Sequence, residues 1–230
     1  MLELIIEGDG STKLTFEVQK LVNAGRSSRD TASVRKHMEE LRKTGITIPD
    51  EFPIFYPKTP ERVITATRFG ILPDSKTSGE VEFVLLIDNS NVYVTVGSDH
   101  TDRELQKTNL VAAKQIYYNV LAPKVWRYED VKEHWDDLIM RSWVGQNGQR
   151  QLYQEGKLVE MMRPERLMEE VKSRVTGDLN GMIIFSGTLP TISGELCYSS
   201  QFEMELVDEH AGRAIRHAYT AEPINWFKKR

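Results

Sequence analysis

The sequence predicts an α+β domain with a largely antiparallel sheet. Short β-rich runs lie near both ends of the chain, and apolar residues recur at helical spacing between them. A parallel doubly wound fold would alternate strand and helix throughout, so the order of the elements argues against it. The 230 residues contain no internal repeat. This length suits one domain with a hydrophobic core of its own.

The composition is that of an ordinary soluble globular protein. Apolar residues make up 40% and charged residues 28%, and the formal net charge is −4. This charge gives no electrostatic reason to expect a nucleic acid as partner. No apolar run approaches the roughly 20 residues of a membrane helix, so we expect no membrane span. Because Cys197 is the single cysteine and the first residues lack a signal-peptide pattern, we expect a cytoplasmic protein.

The N-terminal region predicts a hairpin followed by a helix. Residues 2–6 and 13–21 are β-rich, and the turn-forming residues 8–11 separate them. The helix would begin near Asp30, which can cap its first turn, and end near Gly45, which suits a left-handed C-terminal position. The apolar residues on one face of this helix are Val34, Met38 and Leu41.

A proline-rich stretch, two strands and a helix come next. Residues 48–60 contain four prolines, which remove backbone donors, and this predicts an extended loop. Residues 81–87 and 92–96 are strand candidates, and the turn-like residues 88–91 join them. Residues 102–117 have a helical pattern. We therefore expect an antiparallel strand pair with a helix directly after it.

The rest of the chain predicts two further helices and three strands. The helices cover about residues 130–144 and 164–175, and the strands cover residues 181–185, 202–207 and 214–219. The residues that the first of these helices would bury are Val131, Trp135, Leu138, Ile139 and Trp143.

Glu80 and Glu82 are the residues with the clearest chemical implication. In a strand, side chains two positions apart point to the same face, so the two carboxylates would project together. Burying two adjacent carboxylates is costly unless a cation compensates their charge. Mg²⁺ prefers such oxygen ligands and keeps positions open for water or substrate. The turn at residues 88–91 would bring Asp99 back towards Glu80, where it could serve as the third ligand.

The acidic pair also has a second interpretation. A Glu-x-Glu sequence is common on the solvated face of an edge strand, so its spacing alone does not establish a metal site. The two interpretations are distinguished by the motifs that surround the pair, because a surface strand would not need them.

Five short motifs follow one another along the chain. They are His37-Met38-Glu39-Glu40, Pro53-Ile54-Phe55-Tyr56-Pro57-Lys58, Glu80-Val81-Glu82-Phe83, residues 97–106 and Ser186-Gly187-Thr188. With Lys114, this series resembles the fumarylacetoacetate hydrolase superfamily over about residues 25–207. The superfamily has a Glu-x-Glu strand, then Asn-Asp-x-Thr/Ser-x-Arg-Asp-x-Gln, a lysine and a Thr-Gly-Thr turn.

The resemblance implies a fold and a domain organisation. The core would be a mixed, largely antiparallel β-roll with flanking helices, usually in a homodimer. The whole chain would be one catalytic domain. Residues 1–60 would contain the N-terminal hairpin and a lid helix, and residues 61–230 would form the metal-binding core with a helical insertion at about residues 126–175.

The resemblance also implies which residues bind ligands. Glu80, Glu82 and Asp99 would hold Mg²⁺, with Mn²⁺ or Ca²⁺ as alternatives. Bound Mg²⁺ accepts two oxygens of a 2-oxo acid or 1,3-dicarbonyl and stabilises the enolate that forms when the adjacent carbon bond breaks. Lys114 would add a positive charge beside that anion. The residues that orient a small carboxylate substrate would be Arg103, Gln106, Gly187 and Thr188.

Several of these residues also have structural interpretations. His37 and Glu40 are three positions apart and would be neighbours on a helix, where the glutamate could hold the imidazole as a base for an attacking water. A helical His and Glu at this spacing are also common as a surface pair. Arg103 would equally suit a structural ion pair, Lys114 a solvated position, and Thr188 a turn.

The chain departs from the superfamily pattern beside the metal aspartate. Ser98 replaces the usual asparagine, and the polar residues His100 and Asp102 stand where apolar or small residues are typical, so His100 could enter the substrate pocket. These departures indicate a divergent subfamily. We expect a metal-dependent hydrolase that cleaves a carbon–carbon bond in a small dicarbonyl or acylpyruvate-like acid. The alternatives are an oxo-acid decarboxylase, tautomerase or dehydratase with the same metal site, and a non-catalytic ligand-binding protein.

Overall fold

The computed structural model describes residues 1–8, 10–30, 52–146 and 148–226. The strands of the first half are β1 (Leu2–Ile6), β2 (Thr12–Phe16), β3 (Lys20–Gly25), β4 (Ile54–Lys58), β5 (Val63–Ile64), β6 (Arg68–Ile71), β7 (Thr77–Ser78), β8 (Val81–Asp88), β9 (Asn91–Asp99) and β10 (Thr101–Asp102). The second half adds β11 (Asn119–Leu121), β12 (Lys124–Arg127), β13 (Ile139–Gln146), β14 (Gln149–Lys157), β15 (Met182–Phe185), β16 (Gln201–Asp208) and β17 (Arg213–Pro223). The α-helices of the described residues are α1 (Arg103–Thr108), α2 (Leu110–Ile116) and α3 (Pro164–Lys172).

The strands form two larger sheets and one short pair. The main sheet has the order β2-β1-β12-β9-β8-β15-β3-β4, with β11 between β9 and β5 at its side. The second sheet has the order β14-β13-β16-β17-β6, and β10 pairs with β7. Most neighbours are antiparallel, whereas β1 and β12, β15 and β3, β11 and β5, and β17 and β6 are parallel. The predicted α+β class with a mixed, largely antiparallel sheet is therefore confirmed.

The strand β8 lies inside the main sheet and is buried on both faces. Val81, Phe83 and Leu85 belong to a large core cluster that also contains residues of the second sheet. Val84 and Leu86 belong to a second cluster that contains residues of the N-terminal hairpin. A strand covered on both sides has a continuous apolar run rather than strict alternation. Any charged group at the start of β8 is therefore close to the interior of the protein.

Most of the predicted strands are present. The hairpin of β1 and β2 pairs Leu2 with Phe16, and β8 pairs with β9 through the turn between Asp88 and Asn91. In that turn Asn89 has φ +53°, a left-handed conformation that asparagine tolerates better than most residues. The strands β15, β16 and β17 and the helix α3 also lie where the sequence predicts them.

The helix predicted for residues 102–117 is divided into α1 and α2 at Asn109. This residue has φ −150° and ψ +90°, so the helical path stops there. Its backbone N–H closes α1 on the Leu105 carbonyl, and its side chain accepts the Ala112 N–H to cap α2. One asparagine therefore ends the first helix and begins the second.

The prediction of a helix over residues 130–144 is wrong. The chain forms 3₁₀ turns at Tyr128–Asp130 and Lys132–Asp137 and then the strand β13, which lies between β14 and β16. Burial alternates along β13, with Met140, Ser142 and Val144 inward. The predicted helical insertion at about residues 126–175 consequently contains mainly strands, and α3 is its α-helix among the described residues.

The proline-rich stretch is also different from the prediction in its described part. Residues 54–58 form the strand β4 at the end of the main sheet, antiparallel to β3, instead of a loop. Pro57 is tolerated there because an edge strand has one side without a partner. The helix predicted between residues 30 and 45 lies outside the described residues. No helix in the described part of the chain is long and apolar enough to cross a membrane.

Gly97 provides a test of packing in the main sheet. It lies in β9 opposite Glu82, and a Cβ atom would come within 2.6 Å of Val84 Cγ2 and 2.7 Å of Phe185 Cε1. Because the extra methyl group overpacks the core, we expect Gly97→Ala to lower the free energy of unfolding by about 1–3 kcal/mol. Urea titration measures this change. Gly8→Ala is the control, since a Cβ at Gly8 meets no atom within 4 Å, and an equal effect of the two substitutions would contradict the packing argument.

Candidate metal centre

Three carboxylates meet where β8 begins and β9 ends. Val81 pairs with Ser98 and Glu82 with Gly97, so the antiparallel register brings Glu80, Glu82 and Asp99 together. One oxygen from each carboxylate lies within 4.8 Å of the others. Glu82 and Asp99 are buried, and Glu80 is partly exposed. The three acidic residues therefore lie close together, as the predicted hairpin leads one to expect.

Basic side chains surround the three acidic residues. Arg103 Nη2 lies 2.9 Å from Glu80 Oε1, and Lys114 Nζ lies 3.7 Å from Glu80 Oε2 and also contacts Asp99 Oδ2. Lys58 Nζ lies 3.5 Å from Asp99 Oδ1. Because buried carboxylates are stable only when their charge is compensated, these cations stabilise the acidic group in the folded chain.

The buried lysine Lys58 was not among the site residues predicted from the sequence. Its side chain is only 1% exposed, and its Nζ donates to Asn119 Oδ1 at 2.6 Å. Asn119 in turn donates to Asn23 Oδ1 at 2.7 Å. The signal in the sequence was the proline, aromatic and lysine motif, of which Lys58 is the last residue. The pairing of β4 with β3 is what brings Lys58 to Asp99, and the local sequence does not show this pairing.

Glu82 is held by the turn that follows β15. The Gly187 N–H donates to Glu82 Oε2 at 2.7 Å, and the Thr188 hydroxyl donates to the Val81 carbonyl at 2.7 Å. Gly187 has φ +85°, and a Cβ there would come within 2.5 Å of Ser27 Oγ, so glycine is required. Gly187 and Thr188, predicted to bind substrate, thus contact the strand that carries Glu82. Their role towards substrate stays a prediction.

Arg103 and Gln106 form a second support of the acidic group. Arg103 Nε donates to Ser78 Oγ at 2.7 Å, and its Nη1 donates to Gln106 Oε1 at 2.9 Å. The guanidinium group is therefore fixed on three sides when its contact with Glu80 is included. Arg103 contacts Glu80 through Nη2 alone, as an ion pair that places a positive charge beside this carboxylate. Gln106 acts on the site through Arg103, and a direct contact with substrate stays a prediction.

The acidic residues have strongly shifted pKa values. Burial and then the nearby Asp99 charge raise the pKa of Glu82 well above its usual value, although Lys114 opposes this. For Asp99, burial opposes ionisation, but the charges of Lys114 and Lys58 lower its pKa to about 2. Burial acts against the charged form of Lys114, yet the surrounding carboxylates raise its pKa overall. Asp99 and Lys114 therefore form an ion pair at neutral pH.

The residues present fit a hard divalent cation. Asp99 Oδ1 is buried, and although Lys58 Nζ lies 3.5 Å away, this oxygen forms no hydrogen bond with the described residues. A buried carboxylate oxygen without a hydrogen bond is stabilised when a cation binds it directly. The carboxylates of Glu80, Glu82 and Asp99 are the kind of oxygen ligands that Mg²⁺, Mn²⁺ and Ca²⁺ take.

The sequence suggested that His100 could enter the substrate pocket, but the structure places this residue in the interior of the protein. It is fully buried, and its ring packs against the rings of Phe69, Tyr117 and Tyr219. Its Nδ1 lies 3.0 Å from the Tyr219 hydroxyl, which lies 2.9 Å from Ser98 Oγ. Ser98 Oγ accepts the Glu80 N–H at 3.1 Å. The unusual Ser98 and His100 thus belong to a hydrogen-bonded group behind the metal centre.

Two of the predicted catalytic residues, His37 and Glu40, lie outside the described residues. Their proposed action on water stays a prediction. The third predicted catalytic residue, Lys114, is at the acidic cluster. The described residues thus include all the predicted site residues except His37 and Glu40.

A family profile matches most of the chain. The profile described as "Protein of unknown function (DUF2848)" covers residues 24–219. No curated protein matches the sequence. The family comparison therefore groups the chain with similar sequences but supplies no activity.

Solved structures with the same fold are known. A yeast fumarylacetoacetate hydrolase family protein, ynq8, has a TM-score of 0.65 at 15% identity, with 93% of this chain and 97% of that chain covered. A 2-keto-3-deoxy-D-arabinonate dehydratase complexed with magnesium and 2,5-dioxopentanoate has a TM-score of 0.62 at 14% identity, with 95% and 78% covered. The 4-oxalocrotonate decarboxylase from Pseudomonas putida G7, complexed with calcium and acetate, has a TM-score of 0.55 at 12% identity, with 91% and 78% covered.

These TM-scores establish the fold, and the fumarylacetoacetate hydrolase fold expected from the sequence motifs is confirmed. The proteins with this fold include a hydrolase family member, a dehydratase and a decarboxylase. The fold thus accommodates several reactions, and the chemistry has to be argued from the site.

His100 allows a test of the electrostatics behind the site. Burial lowers the pKa of His100 to about 3, from an ordinary value near 6.5, so between these pH values the unfolded chain binds a proton that the folded chain does not. The contribution of His100 to the free energy of unfolding is therefore fully present above pH 6.5 and is lost as the pH falls towards 3. His100 contributes at most about 1.4 kcal/mol per pH unit to the slope of the free energy of unfolding against pH.

We expect His100→Asn, which has an acceptor near the position of Nδ1, to reduce that slope. Urea unfolding at a series of pH values between 6.5 and 4.5, with a chelator present, measures it. An unchanged slope in the variant would show that His100 is not the group that titrates.

Proposed function

Because the chain belongs to the DUF2848 family of proteins of unknown function and has the fumarylacetoacetate hydrolase fold, we propose that it is a divalent-metal-dependent enzyme for small oxo acids. The observation that carries this proposal is the meeting of Glu80, Glu82 and Asp99 inside the protein, with Asp99 Oδ1 lacking a hydrogen-bond donor. Two buried carboxylates beside a third, partly exposed one are costly even with basic side chains around them, and stability alone gives no reason for the group.

The proposed ligands of the metal are Glu80, Glu82 and Asp99. Mg²⁺ is the proposed native ion, with Mn²⁺ or Ca²⁺ as alternatives, because the structural neighbours include complexes with magnesium and with calcium. When bound, such an ion supplies a positive centre for substrate oxygens on which negative charge develops. The neighbours that carry 2,5-dioxopentanoate and acetate support a small carboxylate as the substrate class.

The side chains around the ligands have distinct proposed roles. Arg103 holds the Glu80 carboxylate in a fixed orientation, and Gln106 holds Arg103. The Gly187 N–H does the same for Glu82. Lys114 has a positive charge beside Asp99 and Glu80, and this charge favours a negatively charged substrate and the additional charge that develops during reaction.

The proposed reaction is hydrolysis of a carbon–carbon bond in a dicarbonyl or acylpyruvate-like acid. His37, oriented by Glu40, would take the proton of the attacking water. The water oxygen would bond to one carbonyl carbon, the carbon–carbon bond at that carbon would break with its electron pair going to the other fragment, and that fragment would take the proton held by His37. The oxygens of that fragment would therefore face Lys114 and the cation that Glu80, Glu82 and Asp99 would hold. The rest of the proposal is a cytoplasmic homodimer without nucleic-acid or membrane partners.

A second candidate is decarboxylation, dehydration or tautomerisation of an oxo acid at the same metal centre. The observation that favours it is the identity of two structural neighbours, a dehydratase and a decarboxylase. These reactions need the same stabilisation of negative charge but not a water activated by His37. A non-catalytic binding protein is less well supported, because none of the three carboxylates has been replaced.

Glu82→Gln tests the metal centre. The substitution keeps an acceptor for the Gly187 N–H but removes a ligand charge, so we expect the affinity for Mn²⁺ to fall more than about 100-fold, beyond the effect of changing a residue that only supports a ligand. Calorimetric titration of chelator-treated protein measures the affinity.

Stability provides a control for the same substitution. Burial raises the pKa of Glu82, so above pH 4.5 its ionisation destabilises the metal-free folded state. Without metal at pH 7, we therefore expect Glu82→Gln to be at least as stable as the wild type. The matched control is Glu203→Gln, at a partly exposed glutamate that pairs with Arg150 outside the acidic cluster. Unchanged Mn²⁺ affinity in the Glu82 variant would refute the assignment.

The reaction is tested with a panel of substrates. With Mg²⁺ present, we expect acylpyruvates to be cleaved faster than oxaloacetate is decarboxylated. Replacement of His37 by alanine should lower kcat for cleavage by about 10²–10⁴-fold, the usual contribution of a general base. Faster turnover of oxaloacetate that survives His37→Ala would instead favour the second candidate.

A further inference from the structure

Gln154 is a buried glutamine that forms hydrogen bonds through both ends of its amide. It lies in β14, and its exposed fraction is only 1%. Its Nε2 donates to Thr188 Oγ1 at 2.8 Å and to the Leu189 carbonyl at 2.6 Å. Its Oε1 accepts the Val81 N–H at 3.1 Å and the Ser142 hydroxyl at 3.0 Å. Both donors and both acceptor positions of the amide are therefore used.

These four bonds join three separate parts of the fold. Gln154 belongs to the second sheet, Val81 belongs to β8 of the main sheet, and Thr188 and Leu189 belong to the turn after β15, here called the 186–189 turn. Val81 lies between Glu80 and Glu82 in the chain. The oxygen end of Gln154 thus holds the backbone between two carboxylates, and its nitrogen end holds the 186–189 turn.

The 186–189 turn is in direct contact with Glu82. Its Gly187 N–H donates to Glu82 Oε2, and its Thr188 hydroxyl donates to the Val81 carbonyl while accepting from Gln154 Nε2. The hydroxyl hydrogen of Thr188 is therefore already used within the protein. A shift of this turn would move the donor that orients the Glu82 carboxylate.

We propose that Gln154 is a positioning residue of the metal centre, which fixes Glu82 by holding both β8 and the 186–189 turn. The inference rests on the proposed function, because it assumes that Glu82 is a metal ligand. Groups that hydrogen-bond to a ligand or to its immediate support orient that ligand, and their loss typically weakens metal affinity 10–100-fold. Gln154 performs this task from a different sheet.

A purely structural role for Gln154 would have a different signature. Ser142 in β13 also contacts Gln154, but its hydroxyl binds only the oxygen end of the amide, on the side away from the 186–189 turn. Ser142→Ala removes one buried hydrogen bond and leaves the bonds to Val81, Thr188 and Leu189. It is the matched control for loss of stability without release of the turn.

The experiment measures Mn²⁺ affinity and stability for four single variants. Gln154→Met keeps the length of the side chain and removes its hydrogen bonds, and Thr188→Val removes the hydroxyl while keeping the shape. We expect each to weaken Mn²⁺ binding by about tenfold in calorimetry. Thr188→Ser should restore wild-type affinity. Ser142→Ala should lower the free energy of unfolding but leave the affinity unchanged.

Two further measurements connect the effect to the turn. The double variant Gln154→Met with Thr188→Val should lose less affinity than the product of the two single losses, because both substitutions break the same connection. Hydrogen exchange of the metal-free protein should show faster exchange of the Gly187 amide in Gln154→Met than in Ser142→Ala.

The outcomes separate this inference from the proposed function. A wild-type protein that binds no Mn²⁺ would overturn both. Wild-type binding that is matched by Gln154→Met and Thr188→Val would overturn the positioning role alone. If Gln154→Met does not fold, the comparison of Thr188→Val with Thr188→Ser decides, and equal affinities of these two variants would also overturn it.

Discussion

The antiparallel pairing of β8 with β9 is the constraint on which the rest of this structure depends. The register sets Val81 opposite Ser98 and so brings Glu80, Glu82 and Asp99 together at one end of the strand pair. The same strands have apolar residues in two core clusters, so the carboxylates cannot turn outward without disturbing the core. Moving an ionised group out of water costs several kcal/mol even after relaxation of the protein. The surrounding elements must therefore offset a cost that this strand pair creates.

The compensation comes from elements that are distant in sequence. Lys58 reaches the acidic group from β4, Arg103 from the start of α1, and Lys114 from α2. Backbone and hydroxyl donors come from the 186–189 turn, and this turn is joined to the second sheet through Gln154. Each contact is unremarkable alone. Together they make the position of the carboxylates depend on the packing of both sheets, which is how a scaffold holds ligands at a fixed distance.

The prediction from sequence was best where structure depends on neighbouring residues. The turn at residues 88–91 and the alternation of Glu80 and Glu82 contain the information for a hairpin with clustered carboxylates, because the geometry of a tight turn sets the register. It failed for residues 130–144. Apolar residues there fit a helical period, but two neighbouring strands, β14 and β16, provide hydrogen bonds that override local preference. The strand β16 is too distant in sequence for a local pattern to include it, but β14 begins three residues after β13 ends. The Asn147-Gly148 pair between them is a local hairpin signal that the interpretation as a helix did not use.

The amino-acid sequence by itself determined the fold class, the paired strands and the three acidic residues, since alternation, turns and motif order are local properties of the chain. Only the tertiary structure decided which groups complete the site. Asn119, Gln154 and Tyr219 have no distinguishing local pattern, and the motif that ends at Lys58 does not show that this lysine reaches Asp99. The role of each of these residues depends on strands that are far apart in sequence and adjacent in the fold. Long-range packing also explains why His100 is buried rather than in the pocket for which the sequence made it a candidate. The surroundings of a side chain are set by long-range packing, and a local pattern does not contain that information.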